Sequence, residues 1–333
     1  MRGIGIILII AAVILPCGSL PAEFEILSET TDAITVRQCD GETRILHRNP
    51  KRTVICYASL AQVWYCAGGK AVGISQVRSK ETLPPEARDL PAAGGTTTPN
   101  SEKVLSLKPE LVLLNAKYER HHAFQRILDN SGVESILLDY RTYDDFLKLL
   151  DLFSRLNGLK VSENETVRKI TVAVDALCKR TAKERKVRFA MLFITGNSFS
   201  LEPSGMQNAL IASRLGGENI LPSNASTRQK LSMEALLMAD PEVIFMVTPV
   251  SREEDRKKVA APLLNHPAWK QLSAVRNDRV HLLPSELFLF QAGPRFPEAF
   301  RMLAELLHPG VDFGKFSEIQ PQIIRDTGKN NMQ

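Results

Sequence analysis

The chain contains the stretch SEKVLSLKPELVLL at residues 101–114 and, 132 positions later, the stretch MEALLMADPEVIFM at residues 233–246. Glutamate, leucine, proline and a second glutamate coincide between the two without a gap. Each copy predicts a short helix that opens with an acidic residue, stops before proline and leads into a continuous apolar strand. Such strands are typical of parallel sheets that are covered on both faces. The repeat therefore predicts two similar lobes.

The same order of elements surrounds both copies. Residues 52–57 and 187–194 each predict a buried strand, and a helix follows each of them. A glycine pair ends each helix, Gly68-Gly69 in the first half and Gly216-Gly217 in the second, as glycine commonly does. Strands that alternate with helices indicate parallel sheets. The predicted fold class is therefore α/β, with two Rossmann-like lobes of mainly parallel sheet.

Between the lobes the pattern is helical. Apolar residues recur at helical spacing over residues 146–156 and 167–177, and Ser162 with Glu165 predicts a capping box at the start of the second helix. If that helix runs to about Lys183, it would be about 30 Å long at 1.5 Å per residue. We therefore predict that one long, rigid helix joins the lobes.

The amino terminus has the pattern of an export signal. Arg2 precedes an apolar run from Ile4 to Leu15, which is typical of a secretory signal peptide, and we predict cleavage after Ala22. Cys17 leaves a second interpretation open, a lipid anchor attached there, although Pro16 stands where such a site carries a small residue. No later stretch reaches the roughly 20 apolar residues of a spanning helix. We expect an exported protein located in the periplasm.

Composition excludes several classes of protein. Of the 333 residues, 44% are hydrophobic and 24% are charged, which is ordinary for a globular chain and excludes a mostly disordered or multi-spanning protein. The net charge of +5 is too small to indicate nucleic-acid binding. A hairpin with a primed turn at Asp40-Gly41 is predicted to precede the first lobe. The predicted segments are a signal peptide at 1–22, the hairpin and N-lobe at 23–141, a helical linker at 142–185, a C-lobe at 186–310 and a polar tail at 311–333.

Four cysteines follow the signal peptide: Cys39, Cys56, Cys66 and Cys178. An exported compartment permits disulfides, and four thiols allow three pairings, which the sequence does not distinguish. None of the spacings is that of a CxxC metal or redox site, so we predict structural roles.

Three stretches together resemble a known family: NPKRTV at residues 49–54, NSEKVLSLKPELV at residues 100–112 with its second copy, and GPR at residues 293–295. They are similar to the exported substrate-binding proteins of ABC importers for iron-siderophores, haem and cobalamin, the Fe/B12 periplasmic-binding family. The resemblance covers nearly the whole mature chain. It implies the bilobal class III solute-binding fold, in which one long helix joins two α/β lobes.

The resemblance also implies a role for two glutamates. In the family, the acidic residues that match Glu102 in one lobe and Glu234 in the other dock onto arginines of the membrane permease. A glutamate in a first helical turn is already favoured by the helix dipole, by about 0.3 to 1 kcal/mol, so either one alone would indicate only a helix start. Equivalent positions in duplicated lobes favour docking onto an ABC permease dimer.

The ligand site is predicted from topology, because open parallel sheets bind ligands beyond the carboxyl ends of their strands. Aromatic side chains are concentrated in the loops there, which suits flat or greasy ligands. An arginine in the same region would suit a ligand carboxylate or hydroxamate oxygen. The predicted ligand-binding residues are Tyr57, Ser59, Thr97, Asn115, Tyr118, Phe199, Phe290 and Arg295.

The sequence indicates neither a resident metal nor catalysis. His121 and His122 are adjacent, so on a helix they point to different faces and cannot chelate one ion, and we predict that they lie at the surface. Nucleophile-elbow, zinc-protease and phosphate-loop motifs are missing from the chain. We expect no cofactor, because the ligand itself would carry iron or cobalt.

The predicted function is that of a non-enzymatic solute-binding component of an ABC importer. It would capture a metal chelate, foremost a ferric siderophore, between the lobes and deliver it to the permease without covalent chemistry. A haem- or cobalamin-binding protein of the same type is one alternative. A surface sensor or scavenger that is not coupled to a permease is another.

Overall fold

The two repeated stretches each lie in a six-stranded sheet. A computed structural model describes residues 24–77, 79–196, 198–221, 225, 227–250 and 253–314. The predicted signal peptide and most of the predicted tail lie outside these residues. Within the described ranges, no helix has the length and apolar character needed to cross a membrane.

The first half of the chain forms a small sheet and the N-lobe. Its elements are β1 (Glu25–Glu29), β2 (Ala33–Arg37), β3 (Thr43–His47), β4 (Thr53–Ile55), α1 (Ala58–Cys66), β5 (Gly73–Gln76), β6 (Ala92–Gly95), β7 (Thr98–Pro99), α2 (Ser101–Ser106), β8 (Leu111–Asn115), α3 (Glu119–Asn130) and β9 (Glu134–Leu138). Strands β1 to β3 form a separate antiparallel sheet. The lobe's own sheet has the order β7-β6-β5-β4-β8-β9, and β7 alone is antiparallel to its neighbour.

Two helices then lead to the C-lobe. They are α4 (Tyr143–Leu156) and α5 (Glu165–Thr181), and the C-lobe comprises β10 (Val187–Thr195), β11 (Ser198–Leu201), α6 (Gln207–Arg214), β12 (Gly217–Asn219), β13 (Gln229–Lys230), α7 (Met233–Ala239), β14 (Val243–Val247), α8 (Glu253–Leu264), α9 (Ser273–Arg276), β15 (Val280–Leu282), α10 (Ser285–Phe288) and α11 (Phe296–Leu307). Its sheet has the order β13-β11-β10-β14-β15, with β12 also paired to β10. The pairs of β10 with β12 and β14, and of β14 with β15, are parallel. The predicted α/β class is confirmed.

The repeat is visible in the backbone. Strands β8 and β14 occupy equivalent positions at the same offset of 132 residues, and each follows a short helix, α2 or α7. Between helix and strand, Lys108 (φ 46°) and Asp240 (φ 36°) both adopt the left-handed conformation directly before proline. Since non-glycine residues rarely adopt this conformation, its recurrence shows that the two lobes share one local design.

The core is continuous from lobe to lobe. One apolar cluster contains strand residues of both sheets together with the buried faces of α1, α4, α5 and α11. Within it, Tyr143 of α4 meets the rings of Phe296 and Phe300 edge-on, at centroid distances of 5.1 and 5.2 Å. Trp64 is buried in this cluster, and Trp269 is buried in a separate apolar cluster of the C-lobe. The lobes are therefore held together by packing as well as by the chain connection.

The connecting helix begins later than predicted. Asn164, rather than Ser162, caps α5, because its side-chain oxygen accepts the backbone N–H groups of Thr166 and Val167. The amide group of Asn164 also donates to the Cys66 carbonyl at the end of α1, at 2.9 Å, which fastens this end of α5 to the N-lobe. The 17 residues of α5 span about 25 Å. The rigidity of this connection stays a prediction.

The prediction of a primed turn at Asp40-Gly41 is wrong. Only Gly41 of the pair Asp40-Gly41 has a positive φ, and residues 38–42 form a wider loop closed by the Gln38 N–H and the Glu42 carbonyl. The reason is that Gln38 is buried against the N-lobe, where its side-chain oxygen accepts the Leu137 N–H at 2.9 Å. The strand β1 that completes the small sheet was not predicted.

Cys39, Cys56 and Cys66 are buried, and Cys178 is half-buried. Cys56, Cys66 and Cys178 are free thiols, and burial raises the pKa of Cys56 and of Cys66 to about 12. Burial also raises the pKa of Cys39 to about 11. Thiols with such pKa values are poor nucleophiles at neutral pH, which agrees with the structural roles predicted for them.

Candidate functional site

Tyr57 and Tyr118 meet at the carboxyl edge of the N-lobe sheet. Tyr57 follows β4 and directly precedes α1, and Tyr118 occupies the same position before α3, after β8. Their half-buried rings are tilted against each other, with centroids 5.8 Å apart. Burial raises the pKa of the Tyr57 hydroxyl well above its usual value, and the neighbouring Tyr118 adds a smaller increase. The topology thus joins two predicted ligand residues into one aromatic surface.

Asn115 and His121 build the loop beneath these tyrosines. The backbone N–H of Asn115 donates to Nδ1 of His121 at 3.0 Å, so this nitrogen carries no proton, and Nε2 donates to the Thr96 carbonyl at 3.0 Å. The side-chain oxygen of buried Asn115 accepts the Lys117 N–H, which turns the chain. Asn115 therefore supports the site from within. Its predicted contact with a ligand stays a prediction.

The surface position predicted for His121 is wrong, because its side chain is 0% exposed. Desolvation lowers the pKa of this imidazole, in agreement with the neutral form that its two hydrogen bonds require. His122 is half-buried, and its Nε2 lies 2.7 Å from the Ala116 carbonyl. Across the described ranges, no group of three or more histidine, cysteine or acidic side chains is placed to hold a metal ion.

The other predicted residues of the N-lobe lie at the same edge. Thr97 is exposed in the turn between β6 and β7. Ser59 lies in the first turn of α1, where its carbonyl is 3.5 Å from the hydroxyl of Tyr140. Hydrogen bonding from Ser59 lowers the pKa of Tyr57 and partly offsets the effect of burial.

The predicted residues of the C-lobe are less closely grouped. Phe199 on β11 pairs with Ile194 and packs against the core on one face of the sheet. Phe290 is 58% exposed after α10. Arg295 binds the Glu298 carboxylate through two nitrogens, the closer contact being 2.7 Å, and this pairing raises the pKa of Arg295. The Arg295 guanidinium is therefore paired within the protein, although 35% of the side chain is exposed, and Phe290 is open to solvent.

A further arginine, which no sequence pattern predicted, lies at this site. Arg228 donates through Nη2 and Nε to the Glu202 carboxylate, at 2.6 and 3.2 Å, and its guanidinium lies 3.8 Å from the centroid of the Phe193 ring. Glu202 is 1% exposed and receives a further hydrogen bond from Asn208. A buried carboxylate requires such partners. No spacing rule points to Arg228, since only the fold brings it to Phe193, near the carboxyl end of β10.

Glu102 and Glu234 occupy equivalent positions. Each is the second residue of its helix, after the caps Asn100 and Ser232, and each side chain is exposed. Met238, one turn beyond Glu234, is 89% exposed. Within the described part of the chain, neither glutamate forms a hydrogen bond or an ion pair. Both side chains are therefore available to an external partner.

Both helices start at the edge where the ligand loops lie. Asn100 donates its backbone N–H to the Ala93 carbonyl of β6 at 2.9 Å, and the strand register places the neighbouring Ala92 level with Ile55, the last residue of β4. In the C-lobe, the residue before Ser232 donates to the Phe199 carbonyl, beside the carboxyl end of β10. In each lobe, the glutamate-bearing helix therefore begins at the edge that carries the predicted ligand loops of that lobe.

Two α/β lobes with polar and aromatic loops at the carboxyl edges of their parallel sheets define a two-lobed binding protein. Residues 54–287 match the family model described as periplasmic binding protein. This match covers more than half of the chain, and the chain belongs to that family. The predicted family is thereby confirmed, while the rigid helix that the resemblance also implies stays a prediction.

The chain is also similar to individual proteins. It is 26% identical over 262 residues to the Fe(3+)-citrate-binding protein YfmC of Bacillus subtilis, which covers 76% of this chain and 79% of that protein. An ABC transporter substrate-binding protein from Listeria monocytogenes aligns with a TM-score of 0.68 and 20% identity, covering 78% of this chain and 99% of the other. Staphylococcus aureus IsdE complexed with heme aligns with a TM-score of 0.64 and 20% identity, covering 77% and 98%. The structural likenesses show the fold alone.

Proposed function

We propose that this protein is the exported substrate-binding component of an ABC importer, which captures a ferric chelate between its lobes and delivers it to a permease dimer. The observation that carries the proposal is the equivalent placement of Glu102 and Glu234 at the edge that also bears the ligand loops. Two exposed carboxylates related by an internal repeat suit a partner built from two similar subunits. Such a function needs no covalent chemistry, and the family is one of binding proteins.

The proposed ligand is an anionic, oxygen-rich chelate of Fe³⁺. Arg228 is held by Glu202 and Phe193, and Arg295 is held by Glu298, while 36% and 35% of the two side chains stay exposed, so each offers a fixed guanidinium to a ligand. A guanidinium suits the carboxylate, hydroxamate or catecholate oxygens of such a chelate. The likeness to a protein named for binding Fe(3+)-citrate supports this class of ligand.

Haem is the second candidate ligand, because IsdE shares the fold and is named with heme. Its iron would need an axial ligand, and the Tyr57–Tyr118 pair would offer a phenol oxygen. The likeness to a protein named for binding Fe(3+)-citrate favours the chelate over haem. Cobalamin is a further alternative, and so is a surface sensor without a permease.

The ligand class is tested by titrating the purified protein with Fe³⁺-citrate, ferric desferrioxamine, haemin and cyanocobalamin, following intrinsic fluorescence and the visible spectrum. We expect saturable quenching by a ferric chelate. A Soret band that persists after gel filtration, or binding of cyanocobalamin alone, would overturn the assignment.

The role of Arg228 is tested in the same titration. The variant Arg228→Met is combined with Glu202→Gln, so that no buried carboxylate loses its partner. We expect chelate affinity to fall about tenfold or more, because a charge-assisted hydrogen bond is lost. The control Arg37→Met removes an exposed arginine of the small sheet, which pairs with Glu25, and it should bind normally. Equal affinities of the two variants would contradict the role of Arg228.

A further inference from the structure

Each of the two glutamate-bearing helices ends beneath an arginine of a neighbouring strand. Arg52, directly before β4, donates through Nη2 to the Leu107 carbonyl at 2.6 Å and through Nε to the carbonyls of Leu107 and Lys108, at 3.0 and 3.1 Å. In the C-lobe, Nη2 of Arg188, the second residue of β10, donates to the Ala239 carbonyl. Leu107 and Ala239 are equivalent positions of the repeat, so the contact is duplicated along with the helix.

The backbone repeats the same connection. The Arg52 carbonyl accepts the Glu110 N–H at 2.8 Å, and the Arg188 carbonyl accepts the Glu242 N–H at 2.9 Å. The carboxylates of these glutamates bind back to the strand, Glu110 to the Lys51 N–H and Glu242 to the Arg188 N–H. In both lobes, helix, left-handed turn and strand are therefore fastened to the lobe's first parallel strand at one arginine.

Both helices are short, so the contact at their carboxyl ends matters for their stability and direction. Helix α2 has six residues and α7 has seven, far fewer than the roughly 12 to 15 that a helix needs to persist alone. The last carbonyls of a helix lack intrahelical donors, and a cation there also interacts favourably with the helix dipole. A short helix held at its carboxyl end has its direction set there. The side chain at its other end, Glu102 or Glu234, inherits that direction.

We propose that Arg52 and Arg188 are positioning residues for permease docking, which set the direction in which Glu102 and Glu234 are presented. The inference rests on the proposed function. Neither arginine touches the partner, and each acts through its helix. Arg52 directly precedes β4, which leads to Tyr57, and Arg188 lies in β10, which contains Phe193 near its carboxyl end. Each arginine therefore also ties a docking helix to a strand that leads to the ligand loops.

The test uses the full chain with Arg52→Met and Arg188→Met, singly and together, since methionine keeps the length of the side chain but removes its donors. Amide hydrogen exchange of residues 101–108 and 233–240 reports on the helices. Binding to the host's permease in lipid nanodiscs reports on docking. We expect exchange in these two segments to become about tenfold faster and permease binding about tenfold weaker, with the urea midpoint of the whole protein little changed. Arg52→Lys with Arg188→Lys should restore part of both, and Arg37→Met should change neither.

Two further variants separate the possible failures. If Glu102→Gln with Glu234→Gln binds the permease like the wild type, the docking function itself fails. If that pair weakens binding while the methionine variants bind normally, or if exchange of the two segments is unchanged, the positioning role is overturned. Adding Arg52→Met to Glu102→Gln should cost no further affinity, because both changes act on one contact. If the double methionine variant unfolds, the single variants decide the question by the same two measurements.

Discussion

His121 joins two loops at the carboxyl edge of the N-lobe, and it does so only as a neutral imidazole. Its Nδ1 accepts the Asn115 N–H, so a proton on Nδ1 would set two donors against each other. Burial already lowers the pKa of His121. The unfolded chain therefore binds this proton more readily than the folded protein, and the stability that depends on neutral His121 is lost as pH falls below the ordinary histidine pKa of about 6.5.

The first prediction concerns this pH dependence. Between about pH 7.5 and pH 5, the urea midpoint of the wild type should fall, and the midpoint of His121→Gln should fall less. His281, whose pKa is also lowered by burial, remains in both proteins and accounts for part of the remaining slope. Equal slopes in the two proteins would show that His121 is not the titrating group.

The second prediction concerns the glutamate pair. Under the proposed function, Glu102→Arg with Glu234→Arg should weaken binding to the permease in nanodiscs by about 100-fold, because the new arginines would face the permease arginines that the family resemblance implies. Ligand titrations should be unchanged. Glu119→Arg is a matched control, because Glu119 is also an exposed acid in the first turn of a helix, α3, that begins at this edge. Permease binding that survives the double reversal would contradict the docking role.

At the scale of elements, the helix, turn and strand of each repeat were predictable, because an apolar strand after proline is a local pattern that occurs twice. Other features were not local. Asn164 displaces Ser162 as the cap because it also reaches Cys66, a residue far away in sequence. His121 is buried because Thr96 and Asn115 receive its ring. Arg228 reaches Phe193 only through the fold, so the candidate site was predicted less completely than the elements that carry it.

The third prediction compares the two left-handed turns. Lys108→Gly should stabilise the protein by up to about 1 kcal/mol, since glycine adopts φ 46° without strain. Asp240→Gly should destabilise it, because the Asp240 carboxylate accepts both the N–H and the hydroxyl of Ser273, at 2.7 and 2.5 Å. Urea unfolding of both variants measures the difference, and two changes of the same sign would contradict this account.

At the scale of the whole molecule, one apolar cluster serves both lobes, as the contact of Tyr143 with Phe296 and Phe300 illustrates. Lobes that share a core are expected to unfold together, whereas lobes joined only by a flexible chain unfold separately. The connecting helix α5 also holds the lobes together, because Asn164 at its start is hydrogen-bonded to Cys66 of the N-lobe.

The fourth prediction follows from this shared core. Calorimetry of the wild type should show a single unfolding transition. Phe296→Ala, at a fully buried position beside Tyr143 and Phe146, should lower the stability by about 3 to 5 kcal/mol. Two resolved transitions in the wild type would show that the lobes are energetically independent.

The exposed Met238 makes the two copies of the repeat chemically different. Its counterpart at the same offset in the N-lobe is Ser106, whose hydroxyl donates to the Lys103 carbonyl. A protein with two matching halves has two ways of sitting on a two-fold partner, related by a half turn. Because a thioether lies beside one glutamate and a satisfied hydroxyl beside the other, the two seatings differ in free energy. Under the proposed function, each half of the permease would therefore contact a chemically different lobe of the binding protein.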